Sequence, residues 1–251
     1  MSSQRPSERR QSVRTHVVSH ALRQVLDSAS SGSGERARIV DIGGGTGGFA
    51  VPLAEEGHQV LVIDPSPDAL AALGRRADER GVTDRVTGQQ GDLSDVADLV
   101  GTPGEIDLVL CHGVLEVVDD PAEALRTLAG VLRPGGTLSL LVAQRHAAVV
   151  ARAMAGHFAA AHDLLTADGG STEPSRSGRR YTADELTGLV GDAGFVVGVV
   201  HGVRVFADLV PSSLLDLEPG STAALLELEQ VVAQRPEYLP LATQLHVLAT
   251  R

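Results

Sequence analysis

The chain has 251 residues, 43% of them hydrophobic, with 32 acidic residues against 21 basic ones for a net charge of −11. That composition excludes disorder throughout. The single Cys excludes a disulfide framework or a zinc site of several thiolates, and the acidic balance excludes broad non-specific nucleic-acid binding.

Every basic residue is Arg, and Lys, Asn and Trp are absent, a bias that reads as a GC-rich genome. No apolar run is long enough to span a bilayer. The opening MSSQRPSERRQSVR lacks the apolar core of a secretory signal, so a cytoplasmic protein is expected.

Residues 1–14 hold four Arg against one Glu and predict a mobile start. From 15 to 29, Val17, Val18, Ala21, Leu22, Val25 and Leu26 recur at helical spacing, an amphipathic helix. SSGSGE (30–35) is a turn or linker. The pattern then alternates. ARIVDIG (37–43) is a buried strand ended by glycines, and GFAVPLAEEG (48–57) is a helix with Pro52 near its start. QVLVIDPS (59–66) is a second strand, 67–81 a second helix, 84–92 a weak third strand followed by a short helix, and IDLVLCHG (106–113) a fourth strand. Residues 120–136 read as a helix with Pro121 in its first turn and Gly135 and Gly136 after its end, and TLSLLVA (137–143) as a fifth strand.

Strands alternating with helices in this way predict an α/β fold, a doubly wound Rossmann-like sheet. Residues 1–34 form an N-terminal arm and helix, 35–143 the core, and 144–251 cap helices plus C-terminal strands that complete the sheet, one structural domain overall. In that last part the Ala-rich stretch 147–165 reads as helical. GGSTEPSRSGRRYT (169–182) is a loop, and a helix over 182–193 opens with a Thr182/Glu185 capping box. Residues 194–210 are one strand or two, 211–235 hold a helix, and QLHVLAT (244–250) closes as a strand.

The glycine loop after the first strand carries chemistry. In VDIGGGTGG the glycines allow a tight turn and close backbone approach, and the following helix offers free N–H groups. Asp41 precedes Gly43 and Gly45. Asp64, followed by Pro65, ends the second strand about 20 residues on, where a carboxylate takes ribose hydroxyls, and Asp92 ends the third. The spacing Asp-x-Gly-x-Gly-x-Gly with Thr46 inside resembles the first motif of class I S-adenosylmethionine (SAM) methyltransferases. GDLSD (91–95), HGVLEVVDDP (112–121) and LRPGG (132–136) resemble that family's later segments. The resemblance implies SAM as cofactor and S-adenosylhomocysteine as product. It places Asp41, Gly43, Gly45, Asp64, Pro65, Asp92, Leu93, Cys111 and His112 at the cofactor, Asp92 and Leu93 toward the adenine. A short-chain dehydrogenase needs a Tyr-xxx-Lys pair, and the chain has no Lys.

Beyond the core, SVRTHVVSHALRQVL, GVRVFADL (202–209) and the stretch 224–249 resemble the tRNA 5-carboxymethoxyuridine methyltransferase family, from about residue 13 to 249. That resemblance implies methyl esterification of a wobble-uridine carboxylate in tRNA and matches Arg14 to an Arg that pairs with the SAM carboxylate. Two alternatives remain beside it, a small-molecule O- or N-methyltransferase with a carboxylate or hydroxyl substrate, and a non-catalytic SAM-binding protein. Arg204, inside the apolar GVRVF, pairs either with the substrate carboxylate or with an internal Asp or Glu. Arg176, Arg179, Arg180 and Tyr181 form the dense basic cluster near the cap, facing either RNA or solvent.

His112 and His146 are candidate bases for a hydroxyl or amine acceptor, but a carboxylate needs none. His112 is otherwise a wall of the SAM pocket, and Cys111 a small apolar core residue. His157 and His162 lack metal-pair spacing, and no metal or membrane partner is expected. Residues 35–140 carry eight Arg against 18 acids, whereas residues 1–23 carry five Arg against Glu8 alone. A tRNA partner is therefore expected to meet the arm and cap rather than the cofactor core.

Overall fold

The computed structural model describes residues 6–30, 36–166, 178–211 and 220–251, without the side chains of 6–14, 29 and 30. The expected linker and most of the Gly/Ser/Arg loop, including Arg176, lie outside the described residues, as does the side chain of Arg14.

The elements in order are α1 (Pro6–Ser30), β1 (Arg38–Ile42), α2 (Ala50–Glu55), β2 (Gln59–Asp64), α3 (Pro67–Glu79) and β3 (Val86–Gln90). A 3-10 turn (Leu93–Asp95) leads into α4 (Val96–Leu99), then β4 (Ile106–His112), α5 (Pro121–Val131), β5 (Leu132–Ala143), α6 (Arg145–Met154) and α7 (Phe158–Thr166). α8 (Ala183–Asp192), β6 (Val196–Val203), α9 (Ser221–Val232), a 3-10 stretch (Pro236–Leu241) and β7 (Gln244–Thr250) follow.

The strands form one sheet in the order β3-β2-β1-β4-β5-β7-β6. β1 to β5 are mutually parallel, and β7 runs antiparallel to both β5 and β6. Both faces are covered, which is why the central strands read as unbroken apolar runs. Val40 and Val109 pack with Leu125 and Leu128 of α5 and Leu186 and Val190 of α8. Their neighbours Ile39 and Leu108 point the other way, into a core with Val18 and Leu22 of α1, Val51 of α2 and Leu73 of α3. Leu22 is 1% exposed, and cutting it to Ala would cost about 2–5 kcal/mol.

The capping chemistry explains the helix starts. Asp120 Oδ1 accepts from the N–H groups of Ala122 and Glu123, both at 2.9 Å, with Pro121 at the first helical position. The expected Thr182/Glu185 box is present, with contacts of 3.3 and 2.9 Å.

Four boundaries differ from expectation. α1 begins at Pro6 rather than at 15, so residues 6–14, expected as part of a mobile start, are helical. α5 ends at Val131 rather than running on to Pro134, because a residue before proline is pushed out of the α region. Leu132 instead opens β5 against Ile106, with a register shift before Leu108 meets Thr137. The Ala-rich helix breaks in two, with Gly156 at a φ of +79° between α6 and α7. Finally, β6 stops at Val203. Arg204 lies beyond it in the left-handed region at a φ of +59°, so GVRVF is not a continuous strand.

Strand order reverses between β1 and β4. The crevice beyond the carboxyl ends of these two strands is where an open α/β sheet takes its ligand.

Candidate active site

A cleft of about 770 Å³ opens at that reversal. Its lining includes Gly43 after β1, Asp64 and Pro65 after β2, Asp92 and Leu93 after β3, and His112 at the end of β4. Segments far apart in sequence therefore meet at one sheet edge.

The glycine turn is fixed by its neighbours. The N–H of Gly43 donates to the Ile63 carbonyl at 2.8 Å, and Gly43 has a φ of +67°. A Cβ at Gly43 would lie 2.6 Å from Val114 Cγ2, and one at Gly44 would lie 2.5 Å from Asp41 Oδ2. Only glycine fits either position.

Asp64 is held by two backbone donors, Gly45 N–H to Oδ2 and Ser66 N–H to Oδ1, each at 2.9 Å. A carboxylate has two acceptor sites per oxygen, so each oxygen keeps one for a ligand hydroxyl. Asp41 lies beneath the turn, 2% exposed, and its Oδ2 has no hydrogen-bond partner among the described residues. Burial, reinforced by the nearby Asp64 carboxylate, pushes its acid up to about 7. Asp92 caps the 3-10 turn, with Oδ1 accepting from Ser94 N–H at 2.8 Å. Hydrogen bonds from Ser94, first from its hydroxyl and then from its amide, hold the acid below its usual range.

His112 is fixed from below. Its Nε2 lies 2.9 Å from Ser139 Oγ, which lies 2.8 Å from His246 Nε2. His246 Nδ1 in turn lies 3.2 Å from His201 Nδ1, and His201 Nε2 lies 3.2 Å from Gln234 Nε2. This polar row crosses β4, β5, β7 and β6. The edge of the His112 ring packs on Phe49 with centroids 4.9 Å apart. Burial pushes the imidazole down to about 3, so it is neutral at physiological pH. A neutral imidazole of such low basicity suits a wall of the cleft better than a general base.

Cys111, its strand neighbour, does not line the cleft. The alternation of β4 turns its side chain into the core with Ile42 and Val142, and burial pushes the thiol up to about 12. This is the small apolar core residue expected from sequence, so the side chain of Cys111 is not among those that line the cleft.

The basic cluster near the cap divides. Arg179 turns inward, its guanidinium donating to the carbonyls of Val118 and Asp119. Tyr181 is buried with its hydroxyl donating to the Leu115 carbonyl at 3.1 Å. Both brace the 115–119 segment that borders the cleft, so neither side chain extends freely from the cap. Arg180 alone of the three lines a separate, smaller cavity. Arg204 is paired with Asp208 and reaches Gln244 Oε1 at 3.5 Å, which is the internal pairing that stood as its alternative. Its loop is pinned by buried Glu229, which accepts from the N–H groups of Val205, Phe206 and Ala207 at 2.8–2.9 Å. Sequence reasoning missed Glu229, Ser139, His201 and His246. Their signal was a polar residue within an apolar run, but not its partner.

His146 lies on α6, away from the residues lining the cleft. Among the described residues no cluster of three or more His, Cys, Asp or Glu is arranged to hold a metal, and no helix is long and apolar enough to cross a membrane.

The sequence matches the family described as "Methyltransferase domain" over residues 13–198. It is 34% identical over 233 residues to the tRNA 5-carboxymethoxyuridine methyltransferase of Escherichia coli strain K12, covering 92% of this chain and 86% of that protein. The ubiquinone biosynthesis O-methyltransferase of Xanthomonas euvesicatoria is 35% identical over 120 residues, 48% of either chain. Among solved structures, the magnesium protoporphyrin IX methyltransferase of Synechocystis PCC 6803 with bound SAH superposes with a TM-score of 0.62 at 15% identity, covering 100% of this chain and 90% of that one. With its strand order and glycine-turn cleft, the chain belongs to the family of S-adenosylmethionine-dependent methyltransferases.

Proposed function

We propose that the protein transfers the methyl group of SAM to the carboxylate of 5-carboxymethoxyuridine at the tRNA wobble position, in the cytoplasm. The observation that carries this reading is the similarity over 92% of the chain, which includes the cap and C-terminal strands where an acceptor would be chosen. The similarity to the ubiquinone enzyme spans about half of that length.

The residues present fit SAM. The orphaned Asp41 Oδ2 beneath a turn that excludes side chains suits the ammonium of the amino-acid part. The free lone pairs of Asp64 suit the ribose hydroxyls. Ile63 and Leu93 offer an apolar slot beside Asp92 for the adenine, and Pro65 and His112 complete the walls. Arg14 would meet the SAM carboxylate, as the resemblance implies.

Bound there, SAM supplies an electrophilic methyl on a sulfonium. The acceptor carboxylate forms the new O–CH₃ bond as the C–S bond breaks, its electrons staying on sulfur to leave S-adenosylhomocysteine. No proton is released, so a neutral His112 with little basicity is compatible with this chemistry, and rate comes from positioning and desolvation. Arg204 is the candidate guanidinium for the acceptor carboxylate, which would exchange with Asp208 as its partner.

Purified protein, labelled SAM and tRNA from cells lacking the gene should yield an alkali-labile methyl ester on the wobble nucleoside. Absence of label in tRNA, with label entering a metabolite extract, would overturn the reading.

A further inference from the structure

We propose that Arg152 and Arg180 form an oxyanion subsite for a phosphodiester of the acceptor RNA, separate from the cofactor cleft. The subsite is a cavity of about 240 Å³ lined by Arg152 of α6, Arg180, Asp208, Leu241 and Thr243. It lies beyond the carboxyl end of β5, the same sheet edge as the cofactor cleft. The inference rests on the reading that the acceptor is an RNA.

Two observations carry it. Acids outnumber bases in this chain by 11, and nine described arginines have a carboxylate within 4 Å. Arg152 and Arg180, both half-buried, are among the described arginines that have none, and they are the two that share a cavity. The Arg152 guanidinium reaches only the Ala148 carbonyl, at 3.4 Å. The Arg180 guanidinium makes no hydrogen bond among the described residues. Asp208 lines the same cavity, but it is already engaged by Arg204 and by the Thr243 hydroxyl at 2.8 Å. The acid that acts on Arg180 electrostatically is Glu116, whose Oε1 accepts from Ala143 N–H at 2.8 Å and whose proton is held more tightly by burial.

The second observation is that the two cations work against each other. Burial and then repulsion from Arg152 make Arg180 easier to deprotonate. A pair of half-buried guanidiniums sharing one cavity is unfavourable until an anion enters between them. The cavity has room for a tetrahedral oxyanion, and guanidinium matches phosphate in a bidentate fork. A strand whose modified base enters the cofactor cleft would carry a neighbouring phosphate to this second opening.

The test uses an unmodified anticodon stem-loop RNA, which has the phosphates but no carboxymethoxy group. Fluorescence anisotropy across a salt series would be measured for the full-length wild type, Arg152→Gln, Arg180→Gln and the double variant. S-adenosylhomocysteine affinity and thermal melting serve as fold controls. The double variant should bind about 10-fold more weakly or worse, and the slope of log K against log salt should fall by about 0.7 for each arginine removed. With tRNA as substrate, KM should rise with kcat at saturation nearly unchanged.

Unchanged affinity and slope in the folded double variant would overturn the subsite even if the wild type methylates tRNA. So would variants that bind unmodified RNA like the wild type but lose their preference for the modified form, because the cavity would then hold the carboxylate. A wild type that binds the stem-loop through these arginines yet labels no tRNA would sink the proposed function and leave the subsite standing.

Discussion

Replacing Asp41 by Asn separates the cofactor's charge from its shape. In the folded protein the Asp41 acid is raised from 3.8 to about 7. The unfolded chain therefore gives up this proton near pH 4 while the folded chain holds it until about pH 7. The folded state binds more protons across that window, so Asp41 makes the protein progressively less stable as pH rises through it, and below pH 4 there is no penalty. A gap of about three units sets a ceiling of roughly 4 kcal/mol on that penalty.

An ammonium placed at Oδ2 reverses the balance, because it favours the ionised form. If the contact returns the acid to about 4, S-adenosylhomocysteine should bind about 50-fold more tightly at pH 7 than at pH 5. Asp41→Asn cannot ionise, so its affinity should vary by less than about threefold across the same range, and the ligand-free variant should be more stable than wild type at pH 8. Titration calorimetry at half-unit pH steps, with urea unfolding of both proteins, measures both effects. His112 titrates near 3 and stays outside this window. A flat wild-type profile, or a slope retained by Asp41→Asn, would refute the assignment of Asp41 to the ligand's ammonium.

Three further outcomes are expected. Asp64→Ala should weaken S-adenosylhomocysteine binding at least 30-fold in calorimetry, since it removes the ribose acceptor and leaves the Gly45 and Ser66 N–H groups without their partner; unchanged affinity would sink the cofactor site. Ser139→Ala leaves two buried imidazole nitrogens facing a methyl group and should cost about 1–3 kcal/mol in urea unfolding; a neutral result would mean the row contributes nothing to stability. Arg204→Ala should lose tRNA methylation with cofactor affinity intact. Arg204→Gly should do the same but unfold about 1 kcal/mol less readily than the Ala variant, because glycine accepts the φ of +59°. An Arg204→Ala enzyme with full turnover would remove Arg204 from the acceptor site.

The parallel half of the fold was legible because each of its features is local. ARIVDIG and IDLVLCHG are apolar on both faces, Asp120 and Thr182 announce their helices, and the glycine turn sits between a strand and a helix. The Asp64 side of the site was legible for the same reason. The missed features depend on contacts distant in sequence. Ser139 and His246 lie 107 residues apart, and His246 and His201 lie 45 apart, so neither strand alone shows that its polar residue has a partner. Arg204 looked like a cation inside a strand because nothing in GVRVF signals a left-handed residue, and glycine is the usual occupant of that conformation. The inward turn of Arg179 and Tyr181 was hidden because their acceptors are backbone carbonyls, which every sequence offers everywhere.

The row from His112 to Gln234 also acts on the assembly of the sheet. Paired strands with apolar residues on both faces have little to tell one alignment from another shifted by two positions, since each face would still meet hydrocarbon. Here a two-residue slip that set His246 opposite Ala143 would carry it away from Ser139 and orphan its Nε2, whereas the opposite slip would set it directly across from Ser139, as the pairings of Ser139 with Leu248 and of Leu141 with His246 imply. One polar chain therefore penalises slippage in one direction where β7 pairs antiparallel with β5. It acts as a key for strand pairing while presenting its last member, His112, to the cofactor cleft.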